Sequence, residues 1–291
     1  MEDVMRSITS TLGSILLATA IAAPLQAADQ AAAAGKTTKA ATVDSPLQSV
    51  LAGSWRSEAN RARDQYRHPA ETLAFFQVEP SATLIEITPG QGWYAEILAP
   101  LLKPNGHYIA AVLDPNSAAP EQRGYQQKNR DKLHEKFKAD AERYGKAQVV
   151  EFDGKQPVFG KPNSADRVVT FRNVHNWAQN GTAPAYFKGF FDVLKPGGVL
   201  GVVDHRANPD LPLNPGSGYV SEAQVIKLAT DAGFKLDAKS EINANSRDTR
   251  DYEKGVWTLP PSLRMGEVDK EKYLAIGESD RFTLRFVKPK D

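Results

Sequence analysis

An apolar run that ends in a carboxylate and turns through Gly-x-Gly into an amphipathic helix is the strongest constraint on this chain. It reads Leu84-Ile85-Glu86-Ile87-Thr88-Pro89-Gly90-Gln91-Gly92, then Trp93-Tyr94-Ala95-Glu96-Ile97-Leu98. Strand, turn and helix in that order form the first unit of an open α/β sheet. Glycines in the turn let backbone approach a nucleotide-type ligand, and the acid reads a polar group on it. About twenty residues further on, a second strand pattern ends in another acid, Asp114, a spacing that suits a carboxylate on a ribose.

The rest of the chain repeats this alternation. Strand patterns at Thr83–Ile87, Tyr108–Leu113, Gln148–Phe152, Ala165–Phe171 and Val199–Val203 are separated by helical ones, and two late strands follow at Phe234–Ile242 and Arg281–Val287. Helices are expected over Val50–Arg63, from Pro69 to about Phe76, over Trp93–Leu102, along the polar stretch 120–146 with Leu133, Phe137, Ala141 and Tyr144 as its stripe, and from Ser221 to Ala232. Such an order predicts a three-layer α/β sandwich, with a mostly parallel, doubly wound, seven-stranded sheet covered on both faces. The insert 243–279 exceeds ordinary loop length and is expected to carry short structure and function.

Composition removes some classes of function. A net charge of +1 argues against nucleic acid as a partner. With no cysteine, the chain forms no disulfide and carries no lipid on a cysteine thiol. Arg6, the apolar run from Leu12 to Ala23 and the small residues ending at Ala27 and Ala28 have the three parts of a cleavable export signal, too short for the ~20 residues of a membrane span. Residues 1–27 are therefore expected to be a signal peptide and 28–46, rich in Ala, Thr and Lys, a flexible linker. The mature chain would be periplasmic or secreted, with no stable membrane insertion.

The order acid, Gly-x-Gly, second acid, Phe152-Asp153-Gly154 and then Leu194-Lys195-Pro196-Gly197-Gly198 resembles the class I S-adenosylmethionine-dependent methyltransferases. More narrowly, Tyr66-Arg67-His68-Pro69 with Glu71-Thr72-Leu73, followed by Pro89-Gly90-x-Gly92-Trp93-Tyr94, is similar to an uncharacterised family of exported methyltransferases. The resemblance implies a Rossmann-like methyltransferase domain over 47–291, made of a helical lid (47–80), a sheet core (81–242), the insert (243–279) and a last strand (280–288). It also implies S-adenosyl-L-methionine as cofactor. Glu86, Gly90 and Gly92 would line its methionine and ribose, Asp114 would take the ribose hydroxyls, Phe152 and Asp153 would approach the adenine, and Arg172 and Asn173 would complete the crevice. Thr88-Pro89 departs from the superfamily pattern, which places a glycine at position 88.

Methyl transfer from a sulfonium needs alignment more than covalent help, and a base only where the acceptor must lose a proton. His175 at the end of the fourth strand is the candidate base, and His68 beside Arg67 a second catalytic candidate. The expected acceptor is a small molecule lying between Arg172, Asn173 and His175 and a lid formed by Tyr66, Arg67, His68 and Trp257. Two other readings compete. One is an exported, non-catalytic metabolite-binding protein on the same fold. The other is a metal-assisted enzyme using His175, Asp204 and His205, although no tight metal motif supports it and no metal ligand is assigned.

Overall fold

The computed structural model describes residues 45–290. The expected signal peptide and all but the end of the linker lie outside the described residues. Four short helices come first: α1 (Pro46–Leu51), α2 (Glu58–Arg61), α3 (Asp64–Arg67) and α4 (Pro69–Phe75). The single helix expected over Val50–Arg63 is interrupted because Gly53 and Ser54 end α1. A new helix then starts at Ser57, whose side chain accepts from the Asn60 N–H. The sheet then builds up as β1 (Thr83–Ile87), α5 (Ala95–Leu102), β2 (His107–Leu113), α6 (Pro120–Ala139), α7 (Ala141–Tyr144), β3 (Gln148–Phe152) and β4 (Ala165–Phe171). It continues with α8 (Val174–Gln179), α9 (Ala183–Val193), β5 (Leu194–His205), α10 (Glu222–Asp231), β6 (Lys235–Ser240), α11 (Lys270–Ile276) and β7 (Arg281–Val287). The long polar helix is two helices, because Asp140 leaves helical geometry and caps α7 through the Arg143 N–H. The break turns Ala141 out to solvent while Leu133, Phe137 and Tyr144 stay buried.

The strand order is β3-β2-β1-β4-β5-β7-β6. The pairs β1–β2, β1–β4, β2–β3 and β4–β5 are parallel, but β7 runs antiparallel to both β5 and β6. The sheet is thus mixed, a correction to the mostly parallel expectation. Its cause is the insert, which leaves and re-enters the sheet at the same end, so the last strand must run backwards. The consequence is functional: the start of β7 lies beside the end of β5, with His205 opposite Arg281. Residues just before β7 therefore reach the carboxyl ends of the parallel strands, where ligands bind in open α/β sheets.

Side-chain alternation in β1 divides the core. Leu84 packs among α5 and α6 with Leu98, Leu102 and Leu133, while Ile85 and Ile87 face α8 to α10 with Phe187 and Phe190. Glu86 falls on the α5 side and is buried there. Gly201 in the middle of β5 is needed for packing, since a Cβ there would stand 2.5 Å from the Phe76 ring that follows α4.

Candidate functional site

The sheet order reverses between β1 and β4, and a cavity of about 770 Å³ opens there. Glu86, Thr88 and Gly90 approach it from β1, Leu113 from β2, Arg172, Asn173 and His175 from β4 and α8, His205 from β5, and Glu278 and Ser279 from the segment before β7. The insert covers it with Val256, Trp257 and Pro260. The insert thus contributes structure, a short 3-10 turn (Gly255–Thr258) and α11, and part of the cavity wall.

The turn after β1 holds a non-glycine residue in a glycine-like conformation. Thr88 has φ 51° and Gly90 φ 61°, and no atom lies within 4 Å of where a Cβ on Gly90 would stand. The left-handed conformation costs a threonine ~1–2 kcal/mol, and the surroundings hold it there. The Thr88 N–H donates to Ala111 O at 2.8 Å, and Asn173 Nδ2 donates to Ile87 O at 3.1 Å and Thr88 O at 3.4 Å. Asn173, expected to contact a ligand, instead spends its amide bracing this turn.

Glu86 faces the cavity from below. The Tyr108 hydroxyl donates to its Oε2 at 2.6 Å. Burial pushes the carboxyl up to about 7, partly offset by Tyr108, Arg67 and Lys136.

On the far side, His175 and Asp204 form a buried pair, with His175 Nδ1 2.8 Å from Asp204 Oδ1. The carboxylate is held from three directions: it also accepts the His205 N–H at 2.7 Å and the His175 N–H at 3.2 Å. A carboxylate can only accept, so Nδ1 carries a proton, and in the neutral ring the accepting nitrogen of this cavity-lining residue is Nε2. Helix α8 creates this geometry by presenting the His175 backbone N–H to Asp204 at its first turn. His205 sits 5.3 Å from His175 between ring centroids, with its Nδ1 2.5 Å from Ser279 Oγ. Burial, then His175 and Arg172, push His205 well below its ordinary range, so it stays neutral. His175, Asp204 and His205 do bring ligand atoms within 4.8 Å of one another. Because Asp204 is already saturated by N–H donors and guanidinium groups crowd the site, the set fits a proton-transfer pair better than a divalent cation.

Three arginines pair with one carboxylate at the back of the cavity, and a fourth, Arg172, stands near them. Glu278 Oε1 accepts from Arg63 Nε at 2.5 Å, and its Oε2 lies 3.2 Å from Arg281 Nη2 and 3.6 Å from Arg67 Nε. Burial alone would raise Glu278, but Arg281, Arg67 and Arg63 outweigh it and hold the group at about 2. Arg67 is 3% exposed and lies over the Trp93 ring at 4.4 Å, with Nε and Nη2 lacking any hydrogen bond. Arg172, held at φ 63°, has neither a side-chain hydrogen bond nor an ion pair among the described residues.

Glu86, Gly90, Arg172, Asn173 and His175, all named from the sequence, meet at this cavity. Others do not. Phe152 is a core residue, packed edge-on against Phe159 and Tyr186. Asp153 is exposed and closes a turn by accepting the Lys155 and Gln156 N–H groups, and Gly154 lines the cavity in its place. Gly92 faces α6, where a Cβ would meet Leu133 at 2.8 Å. His68 stands at φ 41° between α3 and α4 with Nδ1 buried and unpaired, outside the lining, and it is Arg67 that reaches the cavity. Asp114 is outside the lining, although Leu113 and Ser117 on either side of it belong to it, and it uses Oδ1 to accept the Asn116 N–H at 2.9 Å. Glu278, Ser279 and Arg281 escaped sequence reasoning, since no motif marks them and only the reversed direction of β7 brings them in.

No protein-family model matches the chain, and no curated protein sequence matches it. Solved structures do. The [4+2]-cyclase SpnF is 16% identical with a TM-score of 0.55, covering 83% of this chain and 85% of that one. A SAM dependent methyltransferase from Aquifex aeolicus is 16% identical with a TM-score of 0.51, covering 78% and 93%. The chain shares the α/β fold of these proteins. As one is a cyclase and the other a methyltransferase, the fold leaves the reaction to be argued from the site.

Proposed function

We propose that this protein is an S-adenosylmethionine-dependent methyltransferase acting on a small-molecule acceptor, with His175 as the base. The observation that carries this reading is the opening of two devices on one cavity: the Gly90 turn at the end of β1 and the His175–Asp204 pair at the ends of β4 and β5. The solved methyltransferase of the same fold supports the choice of cofactor.

The residues present fit that cofactor. The open side of Gly90 leaves room for its body, the Arg67 guanidinium, whose Nε and Nη2 make no hydrogen bond, suits its carboxylate, and Glu86 suits its ammonium group. Asp114, which uses Oδ1 for its turn and lies between the lining residues Leu113 and Ser117, would take a ribose hydroxyl. When bound, the cofactor supplies a methyl group already activated by a sulfonium. His175 Nε2 takes the proton that the acceptor's O–H or N–H loses as its new bond to carbon forms and the carbon–sulfur bond breaks. Asp204 keeps the imidazole in the accepting tautomer, and Trp257 with the rest of the insert keeps bulk water off the reacting atoms.

Calorimetric titration with adenosylhomocysteine tests the cofactor assignment, and absence of binding would reject it. Asp114→Ala is expected to weaken that binding by ~1.5 kcal/mol, the low end for a charged hydrogen bond, because the side chain is half exposed. Unchanged affinity would confine Asp114 to its turn. Export is part of the proposal. N-terminal sequencing of the protein from a cell envelope fraction should find a start near Ala28, and a retained Met5 would contradict it.

A further inference from the structure

The back of the cavity holds more positive charge than its own acids balance. Arg63, Arg67 and Arg281 share Glu278, while Asp204 is taken up by His175 and backbone N–H groups. Arg172 forms no ion pair among the described residues, and the acid that favours its charge, Glu278, is already shared by the other three. Arg172 is part-buried and lines the cavity without a direct partner, and repulsion from the neighbouring guanidinium groups works against its charge. Burial, opposed by Glu278 and reinforced by Arg281 and Arg63, pulls Arg172 down to about 10, so it remains charged at neutral pH. Its backbone is also held at φ 63°, a conformation that L side chains rarely adopt. Strain and an unpaired charge at one cavity-lining residue point to a ligand that the free protein lacks.

Arg172 is the charge that weighs most on Arg67, yet the two act on different neighbours. Arg67 lies over Trp93, three residues past Gly90, and is the cation that most relieves Glu86. Arg172 follows Phe171, whose ring is stacked on Tyr94 at 3.6 Å, and after His175 it is the group that most disfavours charge on His205. Arg67 acts on Glu86 where Arg172 does not, and Arg172 outweighs Arg67 at His205, so Arg172 is the guanidinium that belongs with the histidines.

We infer that Arg172 binds an oxyanion, a carboxylate or phosphoryl group, carried by the methyl acceptor, so that the acceptor is an acid anchored beside His175. This rests on the methyltransferase reading for the word acceptor, but not for the anion site itself. A fork of N–H donors matches either oxyanion in two parallel hydrogen bonds, which would fix the acceptor's orientation toward the base.

Thermal melting of the protein with acetate, inorganic phosphate or neutral acetamide, at constant ionic strength and with or without saturating adenosylhomocysteine, tests this. Acetate or phosphate should raise the melting temperature with an apparent affinity at least tenfold above that of acetamide, and the larger response identifies the oxyanion. Arg172→Met should abolish the response, Arg172→Lys should keep a weakened one, and adenosylhomocysteine affinity should stay within threefold in both. Without any anion, Arg172→Met should melt no lower than wild type, because it removes an unpaired charge. Equal responses to acetate and acetamide would overturn the inference. So would an Arg172→Met protein that binds adenosylhomocysteine more weakly but methylthioadenosine, which lacks the carboxylate, unchanged: Arg172 would then hold the cofactor. An anion response that depends on Arg172, in a protein that fails to bind adenosylhomocysteine, would uphold the anion site and reject the cofactor assignment alone.

Discussion

His175→Gln is expected to lower methyl transfer by ~10²–10⁴-fold, the usual worth of a positioned base, while adenosylhomocysteine affinity stays within about threefold. The amide keeps the polarity and approximate size of the ring but cannot take up a proton. The measurement is label moved from methyl-tritiated adenosylmethionine into a small-molecule extract that supports turnover by the wild type. Asp204→Asn supplies the second reading. The amide would reverse the hydrogen bond to Nδ1 and favour the wrong tautomer, as in other His–carboxylate pairs. It should therefore lower turnover with little change in the acceptor's KM. Parallel losses of cofactor affinity and rate in His175→Gln would move His175 into the cofactor site and remove the proposed base.

Glu86 sets a conflict between stability and binding that a pH series can expose. Its rise from the ordinary 4.5 to about 7 comes first from burial. Because the folded state holds the proton more tightly than the unfolded chain, the stability linked to this group is fully present below pH 4.5 and is lost as pH rises through 7. The full loss corresponds to ~3 kcal/mol. Glu86→Gln has nothing to ionise, so its stability relative to wild type should grow by ~2–3 kcal/mol between pH 5 and pH 8, read from urea melts at the two values. The Tyr108 hydroxyl can still donate to the amide oxygen, so no buried donor is orphaned. Adenosylhomocysteine should nevertheless bind the variant more weakly at pH 8, where wild-type Glu86 offers its ammonium group a carboxylate. A difference between variant and wild type that does not change with pH would mean that Glu86 is ionised throughout this range.

Much of the sheet was legible because its signals are local. Residues Thr83–Ile87 and Ala165–Phe171 are short apolar runs bounded by turn residues, and the strands have those limits. The breaks at Gly53 and Asp140 were missed, because the apolar spacing continues across both and only the backbone departs from the helix. Glu86 and Gly90 were legible for the same local reason, a strand end and a turn separated by a few residues. Phe152 packs in the core and Asp153 closes a turn, and an acid after a strand serves a turn as well as it serves a ligand. The choice between these depends on what the neighbouring backbone N–H groups need, which sequence spacing does not encode.

By itself the sequence determined the alternation of strands and helices, the ligand turn after the first strand and the placing of His175 at a strand end, since each follows from residues close together in the chain. Tertiary structure alone decided the rest. It paired His175 with Asp204, 29 positions apart, through an α8 that no periodicity announced. It held Thr88 in a glycine's conformation by hydrogen bonds from elsewhere in the sheet. By running β7 backwards it carried Glu278 and Arg281 to Arg63 and Arg67, about two hundred residues earlier in the chain. Charge balance in a cavity is a sum over groups that the chain brings together only on folding, so the unpaired Arg172 becomes visible only once all its neighbours are in place.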